Sequence, residues 1–314
     1  LKSEDERKQE GFMSGSKIDF HRVTLADREW MNELFVKENS KSADYNFTNI
    51  FIWDSIYHQS VARYKDYVLT KLEMGDDIYY AFPVGKGPIW EVIDRMNEDA
   101  ACHGHPLKVC GATEEHLAKL DAAGIPYQNL RESEEFADYV YDIESLVTLS
   151  GRKLHAKRNH ISHFQKNYDW RFEAITPDNI GRCKEIYDEW MEHLDGEERD
   201  ESVYEEREAL HTAMTHFEAL HLSGGMILAD EKIVAFTVGD QLGAESFLIH
   251  FEKADRAMQG GFAMINQQFA QYVSEHFPNV KYMNREEDMG LESLRKAKMS
   301  YNPCMKVKKY DLMF

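Results

Sequence analysis

In the stretch NREEDMGLESLRKAKMSYNPCMKVKKY, residues 284–310, a buried strand ends, a charged loop follows, and a short helix leads into a closing strand. Val280 and Tyr282 supply the apolar alternation of the first strand, and Asn284, Arg285, Glu286, Glu287 and Asp288 crowd its carboxyl end. Gly290 permits the turn into a helix carrying Leu291, Leu294 and Ala297, and Met305 to Tyr310 reads as the next strand. Polar residues massed at the carboxyl end of a strand mark the place where α/β proteins bind ligands. The same residues also suit a solvated loop, with Asp288 capping the helix and Arg295, Lys296 and Lys298 complementing its C-terminal dipole.

Hydrophobic periodicity outward from this stretch gives one series of elements twice. In the second half, Arg171 to Ile175 reads as a strand, and Cys183, Ile186, Tyr187, Trp190, Met191 and Leu194 follow the spacing of an amphipathic helix. Leu210, Ala213, Met214, Phe217 and Leu220 mark a second helix, and Met226 to Ala229, Ile233 to Asp240 and Glu245 to Glu252 form a meander of strands. Gly260 and Gly261 then open a helix carrying Phe262, Ile265, Phe269 and Tyr272. The first half repeats the plan, with a strand at Ile18 to Arg22, helix faces at Trp30, Leu34 and Phe35 and at Asn46 to Trp53, and a meander from Val61 to Val84. A helix around Val92 and Met96, a strand at Leu107 to Cys110, a helix around Leu117 and Leu120 and a strand at Ala137 to Ile143 complete it. The halves share element order rather than letters, and that order predicts a mixed-sheet α/β (α+β) fold of two tandem domains, 18–145 and 151–314. Residues 1–17 read as a disordered, highly charged leader or tail, with Met13 as an alternative start.

With 314 residues and 43% apolar content the chain can bury two ordinary cores. No run of about 18 apolar residues predicts a membrane span. The net charge of −19 argues against a general nucleic-acid binder, leaving only a local basic patch for a polyanion. Cys102, Cys110, Cys183 and Cys304 show no CxxC spacing, which predicts reduced thiols and a cytoplasmic protein. Cys102, His103, His105 and Cys110 match no common zinc pattern, so no metal is assigned. The acidic run Asp195 to Glu201 lacks calcium-loop spacing and reads as a solvated loop, or as a receiver of a cationic substrate.

Three passages, GRKLHAKRNHISHF (151–164), FLIHFEKADRAMQGGFAMINQQF (247–269) and NREEDMGLESLRKAKMSYNP (284–303), together with the element order, resemble a known family. Over about residues 18–314 the chain looks like the soluble proteins similar to the C-terminal domain of phosphatidylglycerol lysyltransferases, whose fold is a tandem GNAT, the acyl-CoA N-acyltransferase-like fold. Membrane-bound relatives transfer an aminoacyl group from charged tRNA to a lipid, and related tandem-GNAT enzymes transfer amino acids to peptidoglycan precursors. The resemblance therefore implies an acyltransferase with an active second half and a structural first half. Its expected donor is an aminoacyl-tRNA and its partner a small-molecule amine or hydroxyl acceptor. Acyl-CoA-dependent N-acylation and a non-catalytic binding or regulatory module are the alternatives.

The resemblance also places candidate roles. A GNAT cradles acyl-CoA on backbone amides at a helix start, and the equivalent passage here is Arg256 to Gly261, in which Arg256, Gly260 and Gly261 fit while Gln259 stands where a glycine is usual. Arg295 falls near the position of the usual thiolate-protonating tyrosine, where it would clamp phosphate or carboxylate instead, and Tyr301 could donate a proton or simply pack. Alternation in Glu245 to Glu252 puts Phe247, Ile249 and Phe251 on one face and points His250 and Glu252 together as acid/base candidates. Glu286 and Asp288 are the other acid/base candidates, with Asn284, Arg285 and Lys298 as binding groups. Arg158 and His160, on a basic helix with Lys153, Lys157 and Lys166, offer a polyanion contact or an ordinary solvated face.

Overall fold

The computed structural model describes residues 18–193 and 201–314, so the leader and nearly all of the acidic run from Asp195 lie outside the described residues. The first half contains β1 (His21–Arg22), α1 (Arg28–Glu38), α2 (Phe47–Ile52), α3 (Asp54–Tyr57), β2 (Ser60–Tyr64), β3 (Tyr67–Met74), β4 (Asp77–Ala81) and β5 (Val84–Gly85). It continues with α4 (Ile89–Cys102), β6 (Lys108–Ala112), α5 (Glu114–Ala123), β7 (Gln128–Glu132), β8 (Asp138–Asp142) and α6 (Ile143–Thr148). The second half comprises α7 (His155–Asn167), β9 (Trp170–Ile175), α8 (Ile180–Glu192), α9 (Glu201–Thr215), β10 (Ser223–Ala229), β11 (Lys232–Leu242) and β12 (Ser246–Ala254). It ends with α10 (Gly261–His276), β13 (Tyr282–Asn284), α11 (Glu292–Met299), β14 (Met305–Val307) and β15 (Tyr310–Met313).

Among the described residues the strands form two mixed sheets with one plan. The first runs β1-β2-β3-β4-β6-β15-β7, with β5 also on β3, and the second runs β9-β10-β11-β12-β13-β8-β14. In each, an antiparallel meander meets a parallel neighbour, β4 with β6 and β12 with β13. In each, the next strand is borrowed. β15, from the end of the chain, enters the first sheet between β6 and β7, and β8, from the first half, enters the second between β13 and β14.

This exchange alters the expected closing strand. Met305 to Tyr310 divides into β14 and β15, which belong to different sheets, and Lys309 sits buried at the crossing. The expected strand at Ala137 to Ile143 is likewise cut short, because Asp142 accepts a hydrogen bond from the Ser145 amide and caps α6. Strand β7, with the polar sequence QNLRE, carries too little apolar alternation to announce itself.

The halves share one core. Met31, Phe47, Leu69 and Tyr80 from the first half and Met226, Phe236 and Phe251 from the second belong to a single buried cluster that also takes in Leu312 of β15. A second cluster lies beneath α10, where Phe269, Met264 and Val273 meet Phe247, Ile249, Tyr141 and Phe164. The Asp230-Glu231 turn between β10 and β11 has positive φ at both residues, as a two-residue hairpin of matching twist requires.

Candidate functional site

Strand β12 bulges where it pairs with β11. Val238 is opposite Phe251 and Gly239 opposite Ile249, which leaves His250 without a partner in the ladder. Gly239 makes the close approach possible, since a Cβ there would lie 2.0 Å from the Leu248 carbonyl oxygen. One extra residue reverses the face to which every later side chain points. The expected alternation is therefore corrected. Phe247 and Ile249 pack beneath α10, Phe251 joins the core between the halves, and Glu252 turns towards α10 while His250 faces the first half.

Strand β13 follows β12 in parallel only from Ser246 to Leu248, opposite Tyr282 to Asn284, and beyond these the two segments part. Arg285 and Glu286 line the resulting gap from opposite sides. Arg285 donates to Glu252 Oε1 at 2.7 Å, beside the 3.0 Å bond from Asn266 to Oε2 of the same carboxylate. Glu286, at φ +56°, places Oε1 3.4 Å from His250 Nδ1 on the other side. Lys298 is buried and donates to the carbonyls of both Arg285 and Glu286, fixing the backbone from which they diverge.

On the side facing the first half, His250 Nε2 lies 3.0 Å from Asp240 Oδ1, and Asp240 also accepts from Asn46 at 2.9 Å and Thr48 at 2.7 Å. Burial favours a neutral ring, but the carboxylates of Asp240 and Glu286 outweigh it and raise the His250 pKa to about 9. The site thus presents an imidazolium at neutral pH. Next to it, Lys309 meets Asp44 at 2.8 Å, Asp138 at 2.9 Å and Glu287 at 4.0 Å, while Asn284 donates to Asp138 at 3.0 Å and to the Lys41 carbonyl at 2.6 Å. Burial, reinforced by Glu286, Asp138 and Asp44, pushes Glu287 up to about 7 against the pull of Lys309.

On the side facing α10 and α7, the Arg285 guanidinium lies over the rings of Tyr301 and Tyr141, at 4.8 and 5.4 Å from their centroids. Lys157 Nζ stands 3.8 Å from the Tyr301 ring centroid. Burial and the Arg285 charge lower the Lys157 pKa to about 8, partly offset by Glu252. Tyr301 and Tyr141 move the other way, because burial disfavours their phenolates.

The other expected residues sit apart. Asp288 does not cap α11, whose N-cap position is Leu291. Its buried carboxylate receives a two-pronged bond from Arg295, at 2.8 and 3.0 Å, with Tyr139 at 2.5 Å and the Gly290 amide at 2.9 Å. These bonds outweigh burial and hold its pKa near 2, so Arg295 is engaged as the clamp of a loop. Arg158 bonds the carbonyls of Leu149 and Gly151 in the turn before its helix. His160 is exposed on α7, and its carbonyl oxygen would lie 2.7 Å from a Cβ placed on Gly260, whose φ is +96°. Gly261 likewise approaches the Ala254 methyl. Close packing of α7 across the start of α10 accounts for Gly260 and covers the side on which a phosphate would approach it, so the residues present do not fit an acyl-CoA phosphate cradle there. Arg256 is exposed.

Sequence reading missed Asp240, Asp44 and Asp138, and counted Lys157 only among the basic residues of its helix. Lys157 left a further local signal. It follows Leu154 by three residues and precedes Ile161 and Phe164 by four and seven, which puts it on the apolar stripe of its helix. Open surface clefts lie elsewhere, one of about 220 Å³ beside Glu33, Arg63 and Lys86 and one of about 440 Å³ beside Tyr204, His211 and His216. Among the described residues no helix is long and apolar enough to cross a membrane.

Comparison with known proteins places this geometry in a family. A conserved protein of unknown function from Bacteroides thetaiotaomicron VPI-5482 is 37% identical, with a TM-score of 0.89 over 95% of this chain and 99% of that one. The C-terminal domain of a putative lysylphosphatidylglycerol synthetase from Agrobacterium fabrum shares the fold, at 17% identity and a TM-score of 0.65 over 92% of each chain. An uncharacterized protein of Mycoplasmoides gallisepticum is 26% identical over 185 residues, so the chain spans 56% of the length of that curated relative. The two mixed sheets make up a GNAT-like fold, shared with FemX at 10% identity and a TM-score of 0.56 over 95% of this chain and 98% of that one. The model of the family described as phosphatidylglycerol lysyltransferase, C-terminal, matches residues 37–313, and the chain belongs to that family.

Proposed function

We propose that the protein transfers an aminoacyl group from an activated amino acid, most simply an aminoacyl-tRNA, to an amine or hydroxyl of a small acceptor, at the gap between β12 and residues 285–286. One observation carries the reading. Arg285 and Glu286 are consecutive and point to opposite sides of the gap, and Arg285 keeps a buried Nη1 without a hydrogen-bond partner while Glu286 Oε1 faces His250 Nδ1 at 3.4 Å. Buried polar groups are ordinarily satisfied, so the free Nη1 suits a reactant that enters the gap. Arg285 Nη1 is a permanently charged donor for a developing carbonyl oxyanion, and the His250–Glu286 pair orients polar groups of the partner reactant.

Membership in a family named for lysyl transfer supports the same class of donor. The net charge of −19 opposes a polyanionic donor, but residues 145–168 contain no acid and carry Arg152, Lys153, Lys157, Arg158 and Lys166. Lys153 bonds Asn302 at 2.9 Å, which joins this basic run to the acid-free segment 293–310. Together they form a local landing surface within an acidic chain.

The test is release of amino acid from a mixture of charged tRNAs in the presence of an acceptor mixture. Wild-type protein releases and transfers amino acid, and Arg285→Ala slows the reaction by about 100-fold or more. No release by the wild type in any mixture overturns the reading, and heat of binding with acetyl-CoA instead would redirect it to acyl-CoA-dependent N-acylation.

A further inference from the structure

The gap needs a group that can give and take a proton, and most of its side chains are already committed. Glu252 is held by Arg285 and Asn266. His250 is bonded to Asp240, faces Glu286 and holds its proton at neutral pH. Arg285 cannot release a proton, and Asp288 is closed off by Arg295 and Tyr139. Lys157 differs from all of these. Its Nζ rests on the Tyr301 ring with no carboxylate within ion-pair distance among the described residues, half-buried next to the guanidinium that shares that ring.

We propose that Lys157 is the proton carrier of the transfer reaction, a role that rests on the aminoacyl reading above. The neutral amine takes the proton of the attacking amine or hydroxyl as the acceptor heteroatom bonds to the ester carbonyl carbon. The carbonyl oxygen, now carrying the negative charge, receives the unpartnered Nη1–H of Arg285. Collapse breaks the bond from that carbon to the donor's ribose oxygen, and the Lys157 ammonium returns its proton to the leaving oxygen. Asn266 Oδ1, buried and also unpartnered, accepts from the α-ammonium of the aminoacyl group. Each unsatisfied atom on this side thereby acquires a partner, and the proton count closes.

The surroundings favour an amine that titrates within reach of neutrality. Arg285 repels a charge on Nζ, Glu252 attracts it, and Tyr301 and Tyr141 contribute ring faces and buried hydroxyls. On its own helix, Arg158 turns to the Leu149 and Gly151 carbonyls, and before the helix Lys153 turns to Asn302. A half-buried lysine freed of carboxylates is the kind that serves as a general base.

Two measurements decide the matter. In the first, intact wild-type protein is labelled with trace acetic anhydride from pH 6 to 11, and each lysine is followed by peptide mass spectrometry. Lys157 reaches half-maximal reactivity near pH 8, well before the lysine of a short unstructured peptide added as internal standard; titration together with that standard overturns the role. In the second, Lys157→Arg, which keeps a cation over Tyr301 but cannot cycle a proton, lowers the aminoacyl-transfer rate about 100-fold or more with little change in substrate affinity, and removes the alkaline-rising limb of the rate. An unchanged rate overturns the role alone. A wild type that turns over no aminoacyl ester overturns the aminoacyl reading, and the role with it, whatever the labelling shows.

Discussion

Lys309 and Asp138 form an ion pair of 2.9 Å in which the lysine side chain is 5% exposed and the aspartate not at all. Asp138 opens the strand that leaves the first half, and Lys309 precedes the strand that makes the opposite crossing. The pair thus pins the exchange. Removing one partner of a buried pair costs about 3–5 kcal/mol, because the other charge is left without compensation. Lys309→Met is expected to lose that much in urea unfolding, and the double variant with Asp138→Asn to recover part of it. A loss in the double variant equal to the sum of the two single losses would show that the two residues are not coupled.

His250 gives a pH signature of stability. Its folded pKa is raised to about 9 from an ordinary 6.5, so its contribution is fully present below about pH 6.5 and disappears as pH rises through 9. The stability difference between wild type and His250→Gln should therefore narrow between pH 7 and 10. A difference that stays constant across this range would mean that the ring is not charged.

Glu287 acts in the same direction over a lower pH window. Its folded pKa is raised to about 7 from 4.5, so the folded protein binds a proton that the unfolded chain releases, and stability falls as pH rises from about 4.5 to 7. Glu287→Gln removes this component. Subtracting its stability curve from the wild-type curve should leave a downward slope confined to that window.

Gly260 and Gly124 separate two costs of adding a methyl group. Both have positive φ, +96° and +67°, but a Cβ at Gly124 meets nothing within 4 Å, whereas one at Gly260 meets the His160 carbonyl oxygen at 2.7 Å. Gly124→Ala should cost about 1–2 kcal/mol from backbone strain alone. Gly260→Ala adds overpacking of about 1–3 kcal/mol. Thermal unfolding of both variants checks the order, and equal costs would show that α7 moves aside freely.

The repeated element order could be read from periodicity because each helix and strand is specified by its own apolar spacing. The partner of a strand is not, and nothing within β8 or β15 tells which sheet receives it. The site divides in the same way. Arg285, Glu286, His250 and Glu252 could be picked out at neighbouring strand ends, whereas Asp44, Asp138, Asp240 and Lys309 gain meaning only from contacts with residues distant in the chain. The bulge at His250 was beyond reach for a related reason. It arises from a mismatch between two strands, β11 and β12, and the alternation within either one reads as unbroken.

The borrowed strands also govern the timing of folding. During synthesis the first half emerges early, yet its sheet stays open between β6 and β7 until residues 310–313 have been made. Over that interval two unpaired strand edges are exposed to other chains, the situation in which chaperones are needed most. Neither sheet can be completed until both halves are present, and the great separation in sequence of the strands that must meet slows that step. Cutting the chain near residue 150 would yield two fragments, each lacking a strand that the other holds.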